Sequence, residues 1–514
     1  MTPRAAVPRR LGHVALLALS LAAAAVVCFQ RIGDPPLGFH PTRQYRSALL
    51  ARRFYLERDR SAPAWQRELA THNANEIYEF PLLQYVAALG YEVVGREDLA
   101  VPRAISALGW LAAGVLIFMT ARRLAGDDGA LASAGFFLLV PFGVDASRAF
   151  QPDGLMVALL VCTYLALLAY GDRGGGWRLA GVVASGGMTT LLKPMALFQI
   201  VAGFVAVWYF RRRRGEDASV LHLTVFAAGV FAIGGSFYAY QWVTASTLAS
   251  VWQQVFLPHL LFTFTFWKGW LAQIWKVAGF LASVAAILGV AVLPKGAARA
   301  MLVGLTAGYA AFGLVFSYTT FTHDYYHMQL LPLVAVALAP MAEVCSKRLR
   351  GSARCSAIPT DLVLATLFVA AVLDASTLSW YRRRHVDFSA EVATYREVGH
   401  LVGHRADNVL LANYYAYPLR YYGELGGTYW PLSFDARFAT LAGLPSESAR
   451  ARLEAIRETT KARYFVVTDL PEFRRQPELE HLLASDFTVR AETDHFIIYD
   501  LDAPRHHPDP TPGP

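Results

Sequence analysis

Charge is scarce in this chain. Only 17% of its 514 residues are Asp, Glu, Lys or Arg, against 55% hydrophobic ones, which points to a protein built of many long apolar runs in a membrane. Acidic residues are outnumbered, leaving a net charge of +8. A basic excess raises the question of nucleic acid. The chain has no zinc-finger spacing and no continuous basic domain, and its arginines cluster beside apolar segments, as orientation signals do, which excludes that class. Cysteine is limited to Cys28, Cys162, Cys345 and Cys355, and no pair forms an extracellular disulfide or a metal motif. There is no internal repeat.

What the chain does have is apolar segments of spanning length. Those at 13–29, 102–121, 129–146, 154–171, 178–192, 195–210, 220–246, 271–293, 299–318, 327–345 and 360–380 read as about eleven transmembrane helices. The first, His13–Phe29, follows Arg4, Arg9 and Arg10, and its small residues Ala22–Ala25 also suit a cleaved signal peptide. Its near-spanning length and the many spans after it favour an uncleaved helix. With the N-terminus cytoplasmic, the inner loops hold Arg122 and Arg123, Arg173 and Arg178, Arg211 to Arg214, Lys295 and Arg299, and Lys347, Arg348, Arg350 and Arg354. The short outer loops hold only Arg148, Lys193 and Lys268. Every inner loop thus agrees with the positive-inside rule.

That orientation gathers four unusual stretches on the outer side. They are the long first loop, the Ser147–Asp153 turn, Lys193-Pro194, and the run Thr322-His323-Asp324-Tyr325-Tyr326-His327. Ionisable groups at a membrane boundary that do not set orientation are functional candidates. Within the first loop, Pro41 can start a helix. Arg43, Arg46 and Arg53 then fall on one stripe, and Tyr45, Ala48, Leu49 and Leu56 on another. Such a helix suits the interface, either resting on anionic lipid or aiming its arginines at phosphates.

After Trp380 the character changes. Strand patterns at 409–412, 464–468 and 496–500 alternate with helical ones at 391–402, 446–460 and 472–484, which reads as a small α/β domain outside the membrane. It has no Gly-rich phosphate loop and no nucleophile elbow. The expected organisation is a transmembrane domain over 1–380 with a first outer loop at 30–101, an extracytoplasmic α/β domain over 381–505, and a disordered proline-rich tail over 506–514.

Several short motifs carry a family resemblance: RQYRSALLARRFY with its Ala51-Arg52 pair, Tyr78-Glu79-Phe80-Pro81-Leu82, Gln151-Pro152-Asp153-Gly154-Leu155, and Leu192-Lys193-Pro194. In order and spacing they resemble the GT-C glycosyltransferases. The nearer likeness is to the family that includes the protein O-mannosyltransferases and the aminoarabinose transferase of lipid A. The resemblance covers roughly residues 10–350. It implies a helical polytopic fold of GT-C type in a cell (inner) membrane. It also implies an inverting transferase that takes a sugar from a polyprenyl-phosphate donor on the outer side, for a lipid, glycan or protein acceptor. One departure stands out. Where the family's first loop opens its helix with an Asp-Glu pair, whose acidic residue is taken as the base, this chain has Arg43-Gln44. The base must then lie elsewhere, or the branch uses different chemistry.

A sugar–phosphate cleavage needs cations where charge accumulates on the leaving phosphate. Lys193, Arg43, Arg46 and Arg148 are the outer-face candidates, with Lys193 also readable as a lysine snorkelling to the interface. The acceptor hydroxyl needs a carboxylate base, and Glu79, Asp34 and Asp153 are in reach of the role. Asp34 also reads as a turn residue, Asp153 as a helix cap, and Glu79 as a structural partner of an arginine. His40, His323, Asp324 and His327 are compatible with a divalent metal, the last histidines being four apart as on one helix face. Tyr325 and Tyr326 suit an aromatic belt or a sugar platform. Two other classes stay open: a transporter or flippase of a lipid-linked sugar, and a non-catalytic member that binds one. Spans almost free of charge at mid-depth, and the lack of a repeat, favour the enzyme.

The topology is testable directly. An impermeant thiol reagent added to intact cells should leave Cys355 unlabelled and label a cysteine placed at Ser433; the reverse pattern contradicts the assigned orientation.

Overall fold

The computed structural model describes residues 3–74, 77–244, 256–351, 386–441 and 447–504. The chain divides into two compact units. The first comprises Met1–Asp34, Ile77–Leu83 and Ala100–His385; the second comprises Pro35–Glu76, Gln84–Leu99 and Val386–Pro514.

The first unit is helical. Among the described residues, seven of its helices are long and apolar enough to cross a membrane: Gly12–Phe29, Ala100–Leu124, Asp153–Arg173, Pro194–Arg213, Val220–Thr244, Ala297–Val315 and Leu330–Arg350. Two bent pairs raise the number to nine if each is one span. The apolar runs at 129–146 and 271–293, each expected as a spanning helix, fall in these pairs. Asp127–Leu139 and Pro141–Ser147 meet at 60°, because Pro141 drives Val140 out of the helical region. Phe264–Ala278 and Phe280–Val292 meet at 90° around Gly279, whose φ of 79° is costly for other residues. The segment expected at 178–192 is a helix, Gly176–Leu192, of 17 residues. That expected at 360–380 lies outside the described residues, so eleven spans are not reached among them.

Small residues set the closest helix contacts. A Cβ on Gly304 would strike the carbonyl of Ala202, and one on Gly308 the carbonyl of Phe198. Glycine at both positions lets the 297–315 helix lie directly on the 197–213 helix, which begins just after Lys193.

The second unit is built on a five-stranded sheet. Its strands are β1 (Asn408–Leu411), β2 (Thr428–Tyr429), β3 (Tyr464–Val467), β4 (Phe487–Glu492) and β5 (Ile497–Pro504), in the order β2-β1-β3-β5-β4. β1 runs parallel to β2 and β3, and β5 antiparallel to β3 and β4. Alternation along the central strands splits the apolar residues between two faces. Val409, Leu411, Phe465 and Val467 pack with Leu453, Leu479 and Leu483 on one side. Leu410, Val466 and Ile498 pack with Tyr395, Val398 and Leu419 on the other. The three expected strands are present. The two not anticipated are β2, only two residues long, and β4, whose burial is mixed. The helix expected at 472–484 is two, Leu470–Arg474 and Pro477–Asp486, with a proline opening the second.

The loop helix predicted to start at Pro41 spans Pro41–Leu56. Tyr45, Ala48 and Leu49 are buried, and the helix packs against Tyr417–Tyr422. The apolar stripe is therefore covered by protein, which removes the reading of a helix resting on lipid by that face. Tyr45 and Tyr422 share a 2.9 Å hydroxyl contact. Arg52, two turns on along the same face, donates to Glu97 at 2.8 Å and to the carbonyl of Tyr421 at 2.7 Å, with its guanidinium 4.0 Å over the Tyr421 ring. The nearby Glu97 carboxylate and Tyr421 hold this arginine charged against the cost of burial. The residues of 35–76 and 84–99 thus belong to the core of the same unit as the sheet.

Removing this arginine leaves Glu97 half-shielded without its main cation. Arg52→Ala should destabilise the second unit by about 3 kcal/mol, read as a lower urea midpoint for trypsin cleavage within 386–504. Adding Glu97→Gln should recover part of the loss. An unchanged midpoint in the single variant contradicts this account.

Candidate functional site

The centre of the first unit's polar residues is Lys193. Pro194 disfavours the helical region for the residue before it, and Lys193 is extended, with φ −153° and ψ 105°, between the Gly176–Leu192 helix and the short Pro194–Ala196 turn. Its side chain is 4% exposed. A buried ammonium must be paired, and it is: Nζ donates to the Asp153 carboxylate and lies 3.9 Å from Oε1 of Glu79.

Each carboxylate is positioned by its own local sequence. Asp153 is the first residue of the Asp153–Arg173 helix, after Pro152, where the positive end of the helix dipole favours an anion. It is 1% exposed. Glu79 sits in the non-helical segment before Pro81, and its side chain is 21% exposed. One helix supports the neighbourhoods of Glu79 and Lys193. In Ser236–Thr244, Phe237 packs edge-on against Phe80 at 5.3 Å, and Tyr238 donates to the carbonyl of Leu191 at 2.8 Å. A π-helical stretch, Phe231–Gly235, precedes it; such bulges recur at functional sites.

The aromatic wall comes from the run at 323–327. The ring centroids of Tyr325 and Tyr326 lie 6.0 and 5.9 Å from Lys193 Nζ, and the rings are 4.6 Å from each other. That is the outer range of a cation–π contact. The first unit thus brings together Glu79, Asp153, Lys193, Tyr325 and Tyr326. The arrangement offers a positive nitrogen, a partly open carboxylate and two rings.

The other candidates have different surroundings. Asp34 pairs with Arg31 at 2.6 Å, and both side chains are nearly half exposed. Arg148 is buried and donates to the carbonyls of Gln30 at 2.6 Å and Arg31 at 2.9 Å. Arg103, which the sequence reading passed over, donates to the carbonyls of Ile32, Asp34 and Arg148. These two arginines clamp the start of the first loop. His40, Arg43 and Arg46 belong to the second unit, where His40 has a left-handed backbone just before Pro41.

The histidines do not form a metal-binding helix face. His323 is extended, and Asp324–His327 is a 3-10 turn, so the spacing of four does not align the two rings as an α-helix would. Asp324 pairs with Lys276 at 2.6 Å. His323 Nδ1 meets the Thr322 hydroxyl at 2.6 Å. Both nitrogens of His327 are engaged, Nδ1 with the Tyr309 hydroxyl at 2.5 Å and Nε2 with the Thr320 carbonyl at 2.8 Å. Among the described residues, no group of three or more His, Cys, Asp or Glu is placed to hold a metal ion. Lys276 and Tyr309 were not anticipated; the one signal for Tyr309 was a hydroxyl inside a Gly- and Ala-rich span.

Comparison with known proteins bears on this geometry. The sequence model of the family described as dolichyl-phosphate-mannose-protein mannosyltransferase matches residues 79–234, a range that holds Glu79, Asp153 and Lys193. No curated protein sequence matches the chain. Among solved structures, ArnT from Cupriavidus metallidurans in the apo state is 15% identical with a TM-score of 0.56, over 95% of this chain and 98% of that one. The same protein bound to undecaprenyl phosphate gives 15% and 0.55, over 94% and 97%. The archaeal oligosaccharyltransferase AglB from Archaeoglobus fulgidus, in complex with an inhibitory peptide and a dolichol-phosphate, gives 13% and 0.60, over 95% and 74%. The chain therefore has the GT-C fold and resembles ArnT and the protein mannosyltransferases.

The two carboxylates should differ in what they hold up. Asp153→Ala leaves a buried ammonium with only the more distant Glu79, and should cost about 3–5 kcal/mol of stability. Glu79→Gln should cost under about 1 kcal/mol, as a partner 3.9 Å away and partly exposed. Thermal unfolding followed by size-exclusion recovery separates them; equal losses contradict the assignment.

Proposed function

We propose that this chain is a membrane glycosyltransferase that moves a sugar from a polyprenyl-phosphate donor to a hydroxyl acceptor, on the outer side of the membrane and with inversion. The observation that carries the reading is Lys193, buried between Asp153 and Glu79 beside a pair of tyrosines, in a GT-C fold. That a protein of the same fold is described bound to undecaprenyl phosphate, and another with a dolichol-phosphate, supports a lipid phosphate as the carrier.

In this reading, Asp153 holds Lys193 in place and Lys193 faces the leaving phosphate. Charge builds on that phosphate as the sugar–oxygen bond breaks, so a fixed cation stabilises the transition state more than the ground state. Glu79 takes the acceptor's proton as the acceptor oxygen attacks the anomeric carbon from the opposite face. The choice of base follows from the surroundings. Asp153 is enclosed and engaged by Lys193, Asp34 is paired with Arg31 near the surface, and Glu79 keeps a partly open carboxylate. Tyr325 and Tyr326 offer faces on which a sugar ring can stack.

The test uses the full chain in nanodiscs. Glu79→Gln should lower turnover by about 10²–10⁴, the usual worth of general-base catalysis, and keep affinity for undecaprenyl phosphate. Lys193→Ala should lower both. Normal turnover in Glu79→Gln contradicts Glu79 as base. Transfer of the lipid-linked sugar across a liposome membrane, with no glycosylated product, contradicts the enzyme itself.

A further inference from the structure

The turn that carries Tyr325 and Tyr326 is only four residues long, and both ends are tied. At its start, Asp324 is 5% exposed and bonded to Lys276 of the Phe264–Ala278 helix at 2.6 Å. At its end, His327 is fully buried and bonded on both ring nitrogens. The directions of the bonds at His327 follow from donor chemistry alone. Trp270 Nε1 lies 3.2 Å from the Tyr309 hydroxyl, and an indole N–H can only donate. The Thr320 carbonyl, 2.8 Å from Nε2, can only accept, so Nε2 carries the ring proton and donates to it. In the neutral ring Nδ1 then accepts from the Tyr309 hydroxyl 2.5 Å away, whose oxygen also accepts from Trp270. Burial also pushes His327 down to about 4, consistent with a neutral ring at neutral pH.

Three elements converge here. Trp270 comes from one half of a bent helix pair, Tyr309 from the 297–315 helix, and Thr320 from the short Ser317–Thr322 helix. The histidine is the point where they grip the aromatic turn. Tyr326 leans on Phe312, 6.5 Å away and one turn from Tyr309 on the same helix. A shift of the Tyr309–His327 contact would thus move the rings that face Lys193.

We propose that Tyr309 and His327 are positioning residues: a fixed Trp270–Tyr309–His327–Thr320 relay that holds the Tyr325–Tyr326 faces beside Lys193, where they meet the sugar of the donor. The role at the sugar rests on the glycosyltransferase reading; the relay itself does not. His327 acts through the turn it closes and touches no substrate.

Two measurements on the full chain separate these parts. Nitrogen-15 spectra of histidine-labelled protein, with His327 assigned by its loss in His327→Gln, should show Nδ1 bare and Nε2 protonated. A protonated Nδ1 overturns the relay whatever the chain binds. Affinities are then read in nanodiscs for two probes, undecaprenyl phosphate and undecaprenyl-phosphoryl-mannose. Tyr309→Phe, which keeps the ring and removes the hydroxyl, should weaken the mannose-bearing lipid by about tenfold, the scale of one aromatic contact, and leave undecaprenyl phosphate unchanged. Equal weakening of both, or of neither, overturns the positioning role. A wild-type chain that binds neither probe overturns the proposed function and the role at the sugar with it, while the nitrogen spectrum still decides the relay.

Discussion

Everything in the first unit's site depends on keeping one ammonium charged among apolar helices. Lys193 has almost no contact with solvent, and an unpaired charge in such surroundings would be expelled or neutralised. The chain meets this cost with two carboxylates from distant parts of the sequence. Asp153 contributes the direct bond, and its place at a helix N-terminus steadies its own charge. Glu79 stands farther off and more open. The first interaction fixes the lysine, and the second adds a more exposed anion beside it.

The backbone around the lysine is shaped to allow this. Two prolines contribute to the shaping, since proline disfavours a helical residue before it. Pro194 puts Lys193 in an extended link between two helices, and Pro141 bends the apolar segment that leads to the 147–153 turn. Arg103 and Arg148 secure the loop start by bonding backbone carbonyls. Arginine suits such work, because its planar fork satisfies several acceptors at once. Among the described residues, charged side chains thus clamp the backbone as well as build the Lys193 centre.

How much of this could be read in the sequence depended on whether the signal was local. Apolar length marked most of the spans, and the short apolar runs in NVLL and YFVV, buried along their whole length, marked the central strands. Lys193-Pro194, Asp153 after Pro152, and the Tyr325-Tyr326 pair were visible as odd residues at span ends. Their meeting was foreseeable only from a shared membrane side and a family resemblance. What stayed hidden was set by long-range packing. Arg148 has the same chemistry as a phosphate ligand but spends it on Gln30 and Arg31. Arg52 looked like part of a motif and proves to be a half-buried partner of Glu97 and Tyr421. The spacing of His323 and His327 suggested a helix face, whereas the turn between them is 3-10. No local pattern told that residues 35–76 share a core with a sheet more than 300 positions away.

The central claim is that the Lys193 centre receives a lipid-linked phosphate. Cryo-electron microscopy of the chain in nanodiscs with undecaprenyl phosphate tests it most directly. The account places the phosphate density within hydrogen-bond reach of Lys193 Nζ, beside Tyr325 and Tyr326. Density that instead sits only on the basic cluster at Arg211–Arg214, with the Lys193 centre unchanged, would contradict it.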